Sequence, residues 1–184
     1  MTVFLVRHAQ DHDNRNKILN GHRDEELTYL GRLQAYQKAY SLKKENIHII
    51  YSSPLKRAHK TALIIGNTLK IRNIIIEKDL IERDFGILTG KPVGEICKYS
   101  NKTIKAHGID YFIEAEGAES FPTLYKRAKN VLEKIMGNHM EKNILIVTHG
   151  DVGKMILASF YNWGWKKGLR ALDFKNTDVL KLVK

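Results

Sequence analysis

One cysteine, three prolines and no long apolar run set the first limits on this chain of 184 residues. The lone thiol, Cys97, has no intramolecular disulfide partner, and it lacks neighbours at metal-ligand spacing, so it is given no role. No stretch reaches the roughly 18 apolar residues of a membrane span. The chain opens on a strand-like run in place of a secretory pattern, and a cytoplasmic protein is expected. Linkers rich in Pro, Gly or Ser, internal repeats and low-complexity segments are all missing, and the length suits a single domain over residues 1–184.

Acidic residues are in the minority, 20 against 31 basic, which leaves a formal net charge of +11. Such a balance is compatible with anionic partners of several kinds. The lysines, among them Lys38, Lys70, Lys126 and Lys134, are dispersed through helix-like segments, as solvated faces are, and no dense basic tract alternates with aromatics. Nucleic acid and membrane surface are therefore not expected as partners; a small phosphorylated substrate is. Also missing are a Gly-x-Ser-x-Gly elbow, a P-loop and the paired histidine spacing of a helical zinc site, so no metal is expected.

What is present is alternation. Apolar, strand-like runs lie at Val3–Val6, Ile47–Tyr51, Ile74–Ile76, Ile144–Val147 and Val179–Val183. Between them run helical stripes expected to pack in the core: Tyr29, Leu33, Tyr36 and Tyr40; Leu55, Ala58, Ala62, Ile65 and Leu69; Leu124, Ala128, Val131, Leu132 and Ile135; and Val152, Ile156 and Phe160. Near-continuous apolar strands alternating with helices predict a three-layer α/β domain, a largely parallel central sheet flanked by helices. The less regular region 86–117 reads as a cap or lid over the sheet edge.

Ligands of open α/β sheets bind beyond the carboxyl ends of the strands. There this sequence places Arg7-His8 after the first run, Ser52-Ser53-Pro54 and then Arg57 after the second, and Thr148-His149-Gly150 after the fourth. Ser53 and Pro54 suit a helix start, which sets Lys56 and Arg57 against the dipole of the following helix; either a bound anion or a protein carboxylate would offset them. Backbone N–H groups following Gly150 would likewise favour phosphate. By elimination the nucleophile is a neutral imidazole forming a phosphohistidine. His8, beside Arg7, is that candidate, with arginines neutralising the transferring group and His149 stabilising its oxygens.

In their order, "LVRHAQ", "NGHRDEELTYLGRLQA", "YSSPLKRAHKTA", "LIERDFGILTGK", "EGAESFPTLYKRA", "VTHGDVGK" and "NTDVLKL" resemble the histidine phosphatase superfamily, which includes the cofactor-dependent phosphoglycerate mutases. The resemblance spans nearly the whole chain. It implies His8 as the phosphorylated residue, Arg7 and Arg57 as phosphate-pocket arginines, and His149 as the second histidine. It adds Glu82 as the general acid, with Asp84 and Asp151 as rivals, Asn14 near the substrate phosphate, and Asn20 and Gly21 lining the substrate. Surrounding arginines are expected to depress Glu82, so that its protonation follows substrate binding.

Several departures from the mutase pattern favour hydrolysis of a small phosphomonoester. The chain lacks the insertion carrying a paired-arginine clamp, Phe85 stands in place of a substrate-binding tyrosine, and Asp151 follows the "THG" in place of asparagine. Ala9 and Asp11 are further departures, the second adding negative charge near the nucleophile. The alternatives are a mutase, which would need a bisphosphorylated primer, and a non-enzymatic phosphate-binding module, which would have no use for both His8 and Glu82. No cofactor is required for hydrolysis, because arginines would do the work that magnesium does elsewhere. Tyr161, Trp163 and Trp165 would either form an exposed contact, as in a homodimer, or close the core.

Overall fold

The computed structural model describes residues 1–183. In chain order its strands are β1 (Val3–Arg7), β2 (Ile49–Ser52), β3 (Ile74–Ile76), β4 (Thr103–Ala106), β5 (Ile109–Phe112), β6 (Ile144–Thr148) and β7 (Val179–Leu182). The helices are α1 (His12–Asn16), α2 (Tyr29–Ser41), α3 (Lys56–Leu69), α4 (Ile96–Tyr99), α5 (Phe121–Gly137), α6 (Gly150–Phe160) and α7 (Trp165–Ala171). Five strands form the central sheet in the order β3-β2-β6-β1-β7, parallel except at the β7 edge, which runs antiparallel to β1.

Both faces of this sheet are covered, which is why its strands read as unbroken apolar runs. Side chains alternate along each strand. Val3, Leu5, Ile49, Tyr51, Ile144 and Ile146 pack with α5, α6 and α7. Phe4, Val6, Ile50, Leu145 and Val147 pack with α3 and the end of α2. The result is the expected three-layer α/β arrangement. No helix among the described residues is long and apolar enough to cross a membrane.

One stripe is inverted relative to expectation. Tyr29, Leu33, Tyr36 and Tyr40 face solvent, Tyr29 at 79% exposure, while Gly31, Ala35 and Ala39 are the buried side of α2. The reason is close approach: a Cβ on Gly31 would lie 2.0 Å from the Gln10 carbonyl oxygen. Only small side chains fit that contact, so the larger and more apolar face is turned outward. The stripes on α3, α5 and α6 do face the core. Trp165 stacks on Phe121 at 5.6 Å, and Trp163 also packs against the main core, whereas Tyr161 stays 38% exposed.

The region 86–117 contains α4 and the β4-β5 hairpin, two strands with no counterpart in the sequence reading. Their alternation is too polar to register as a buried run, with only Ala106 and Phe112 buried. The hairpin turns at His107 and Gly108, both at positive φ, 53° and 75°. Two left-handed residues match the twist of a tight hairpin. Phe85, Leu88, Ile96 and Phe112 form a separate small core beneath this segment.

Candidate active site

Strand register brings the two histidines together. Arg7 of β1 pairs with Thr148 of β6, and the next residue on each strand is a histidine. The His8 N–H donates to the Thr148 carbonyl at 2.9 Å. The imidazole centroids are 5.1 Å apart, and the two residues are only 2% and 0% exposed. On the other side of β6, the Ser53 N–H donates to the Val147 carbonyl, which sets Ser53 Oγ 2.7 Å from His149 Nε2.

The His8 tautomer follows from its partner. Nδ1 lies 2.8 Å from the Ala9 carbonyl oxygen, which only accepts, so Nδ1 carries the hydrogen and Nε2 keeps its lone pair. Burial, followed by the charges of Arg57 and Arg7, holds the His8 pKa well below the usual histidine range. A neutral imidazole with Nε2 free is the form that attacks phosphorus. His149 is depressed for the same leading reasons, burial and then Arg57, and its buried Nδ1 has no hydrogen-bond partner among the described residues.

Arg7 and Arg57 also hold unpartnered buried Nε groups. Arg7 is fixed through Nη1 on the Phe174 carbonyl at 2.8 Å. Arg57 spans the carbonyls of Gly21 and Arg23, and its Nε lies 3.4 Å from Asp11 Oδ2, close enough to pair in charge but not aligned as a hydrogen bond. Buried polar groups are nearly always satisfied, and these orphan donors beside His8 are a setting for an anion.

The start of α3 differs from expectation. The helix begins at Lys56, with Leu55 at the cap, while Ser53 Oγ accepts the Leu55 N–H and meets His149. Of the two ways to offset the cations there, the protein supplies carboxylates. Asp24 accepts the Lys56 backbone N–H at 2.7 Å, and Asp11 faces Arg57.

Glu82 occupies the place where free N–H groups were expected. Its Oε2 accepts from Gly150 at 3.0 Å and Asp151 at 3.5 Å; its Oε1 accepts from Arg83 at 2.9 Å and Val152 at 3.3 Å. The carboxylate thus caps α6, where the helix dipole favours negative charge. Burial and then the charge of Asp151 nevertheless raise its pKa, outweighing the Arg83 N–H bond, Arg57 and Arg7. The depression expected from the arginines is reversed. Of the rival acids, Asp151 lines the cavity but is paired with Arg83 Nε at 3.0 Å. Asp84 does not line it and accepts the Gly86 N–H in a turn.

A cavity of about 340 Å³ opens over His8, bounded by Arg7, Arg57, Glu82, Gly150, Asn14 and Asn20 on the sheet side and by Val93, Ile96, Ile109 and Phe112 from region 86–117. Gly21 and His149 lie outside the lining; Gly21 contributes its carbonyl to Arg57, and the fully buried His149 ring lies 5.1 Å from that of His8. A directed chain of amides runs along the pocket wall. Asn176 Nδ2 donates to Asn14 Oδ1 and to the His8 carbonyl, Asn14 Nδ2 to Asn20 Oδ1, and Asn20 Nδ2 to Asp11 Oδ2. A carboxylate at one end, able only to accept, sets the direction of every link.

Sequence reasoning missed Arg83, Lys154, Asn176 and Tyr111, all on the cavity wall, and the contact of Ser53 with His149. A signal existed for Lys154, which lies three and four residues beyond Asp151 and Gly150 and so shares their helix face. None existed for Tyr111, whose strand had not been recognised.

The model of the histidine phosphatase superfamily (branch 1) matches residues 3–183. Phosphoglycerate mutase-like protein 4 of Arabidopsis thaliana is 36% identical over 181 residues, 96% of this chain and 76% of that protein. Phosphoserine phosphatase 1 of Hydrogenobacter thermophilus is 34% identical over 148 residues, 80% of this chain and 70% of that protein. Among solved structures, mycobacterial hydrolase 1 superposes with a TM-score of 0.84 at 21% identity, covering 98% of this chain and 87% of that one, which shows a common fold.

Proposed function

The chain belongs to the histidine phosphatase superfamily and is a phosphoryl-transfer enzyme; we propose that it hydrolyses a small phosphomonoester through a phosphohistidine at His8. The observation that carries this reading is the His8 tautomer, held by the Ala9 carbonyl with Nε2 unprotonated between arginines. The likeness to a phosphoserine phosphatase supports hydrolysis as the outcome.

In the first step, His8 Nε2 attacks phosphorus and the ester P–O bond breaks. Arg7, Arg57 and His149 bind the three non-bridging oxygens, and Glu82 gives its proton to the leaving oxygen. Its raised pKa suits the acid role, because the carboxyl is then protonated at higher pH than an exposed glutamate. In the second step, water attacks the phosphohistidine, Glu82 takes its proton, and the P–N bond breaks to release phosphate and regenerate neutral His8. Asn14 and Asn20 shape the pocket wall, and Gly150 serves through the N–H it shares with Glu82. Region 86–117 acts as the cap that sets the leaving group, since it furnishes the apolar side of the cavity.

Rapid-quench mass spectrometry with a panel of phosphomonoesters tests the reading. The wild type should show a phosphoryl adduct on His8 and release phosphate, and His8→Ala should show neither. An adduct on another residue, or phosphate release that survives His8→Ala, would overturn it.

A further inference from the structure

Lys154 is a buried amine that this reaction does not use. It lies on α6, is 2% exposed, and lines the cavity together with Tyr111 of β5. Among the described residues its one hydrogen bond goes from Nζ to Tyr111 Oη, and Nζ also sits 4.2 Å from the centroid of that ring. Among the described residues no carboxylate lies within 4.0 Å of Nζ. The nearby acids are otherwise engaged, Asp151 by Arg83 at 3.0 Å and Asp173 by Lys175 at 3.6 Å.

The donor inventory is one-sided. Burial lowers the Lys154 pKa, opposed in part by the charges of Asp151 and Asp173; as an ammonium it has three N–H donors and no acceptor, and only one is used. The Tyr111 oxygen accepts that bond, so its own hydrogen remains to be donated. Burial, then Asp151, raises the Tyr111 pKa, which keeps the hydroxyl protonated. Two kinds of donor meeting at one wall call for an acceptor-only ligand group.

We propose that Lys154 and Tyr111 form a subsite for a carboxylate carried on the leaving group of the substrate. A carboxylate is preferred to a second phosphate because Asp151 and Asp110 line the same cavity and would repel a dianion more strongly. The two residues come from different layers, α6 below and the β4-β5 hairpin above. A bound carboxylate therefore ties the β4-β5 hairpin to α6. The proposal rests on the hydrolase reading for the statement that the carboxylate belongs to a leaving group.

Two esters that differ only at this group provide the test: 3-phosphoglycerate has a carboxylate where glycerol 3-phosphate has a hydroxymethyl. Their dissociation constants are measured by calorimetry on His8→Ala, which holds the ligand without turnover, and on the same protein with Lys154→Met added. The parent should bind 3-phosphoglycerate at least about tenfold more tightly, as one charge-assisted contact allows, and Lys154→Met should lower that ratio severalfold or more, with Tyr111 keeping its own contact. Equal affinities in the parent, or a ratio that Lys154→Met leaves in place, would overturn the subsite. Should the lysine variant fail to fold, Tyr111→Phe is read in the same way, with a severalfold fall in the ratio expected and an unchanged ratio overturning the proposal. Phosphate release by the wild type is followed separately. A carboxylate preference in binding with no phosphate release from any ester of the panel would overturn the hydrolase reading while supporting the subsite.

Discussion

Glu82→Gln separates the two tasks of the residue at the start of α6. In the proposed mechanism Glu82, as the general acid, lowers the barrier only where the leaving oxygen needs a proton, an effect of about 10²–10⁴ in rate, or about 3–5 kcal/mol. An alkyl ester leaves as a strongly basic alkoxide and should lose that full factor in kcat; an aryl ester with an acidic phenol should lose less than about tenfold. The substitution also has a structural cost. Both carboxylate oxygens accept backbone N–H groups, so a glutamine amide must turn its NH₂ toward one pair, Arg83 and Val152 or Gly150 and Asp151. Each buried N–H left unsatisfied costs about 1–3 kcal/mol, and the melting temperature should fall accordingly. Because a structural defect slows both esters alike, the ratio of the two losses is the informative quantity. The raised pKa of Glu82 adds a pH signature: wild-type kcat/KM for the alkyl ester should decline on the basic side as Glu82 ionises, and the variant should lack that limb. Equal losses on the two esters, with the basic limb retained, would refute the assignment.

Asp11→Ala should be strongly destabilising. It removes the cap on the Asn14 N–H, the acceptor of Asn20 and the charge facing buried Arg57. Burial raises the Asp11 pKa in spite of these partners, so the intact pair adds little, but stranding Arg57 should cost about 3–5 kcal/mol. At about 2–4 °C per kcal/mol for a protein of this size, the expected fall in Tm is about 6–20 °C; calorimetry showing a change under about 2 °C would contradict the account. The histidines predict a pH dependence of opposite origin. His8 and His149 are depressed from 6.5 in the folded state, so the unfolded chain binds more protons below that pH and stability is lost as pH falls through it. The difference in unfolding free energy between wild type and His8→Ala, from urea titrations between about pH 7 and 5.5, should shrink by up to about 1.4 kcal/mol per pH unit. A difference that does not vary with pH would rule out a depressed His8.

Much of the fold was legible because a sheet covered on both faces leaves a plain mark: β1, β2 and β6 are short apolar runs, and their last residues are where ligands meet an open α/β sheet. Arg7, His8, Arg57 and His149 could be singled out by that rule before any contact was known. The α2 stripe shows where periodicity misleads. It reports that one face is apolar, but Gly31 against the Gln10 carbonyl decides which face can approach, and the tyrosines are left outside. The β4-β5 hairpin has too few buried side chains to leave a pattern, so Tyr111 was invisible.

The sequence by itself determined the layers of the domain, the strand ends that carry the polar groups and the histidine and arginines expected to act there, because hydrophobic burial and strand period are local properties. Only the tertiary structure decided which nitrogen of His8 is free, that burial and Asp151 outweigh the arginines at Glu82, and that Lys154 meets Tyr111 with no carboxylate of the described residues within 4.0 Å. Tautomer, proton affinity and unfilled donor capacity depend on which distant groups are brought within a few ångströms and on how much water is removed, and neither is set by spacing along the chain.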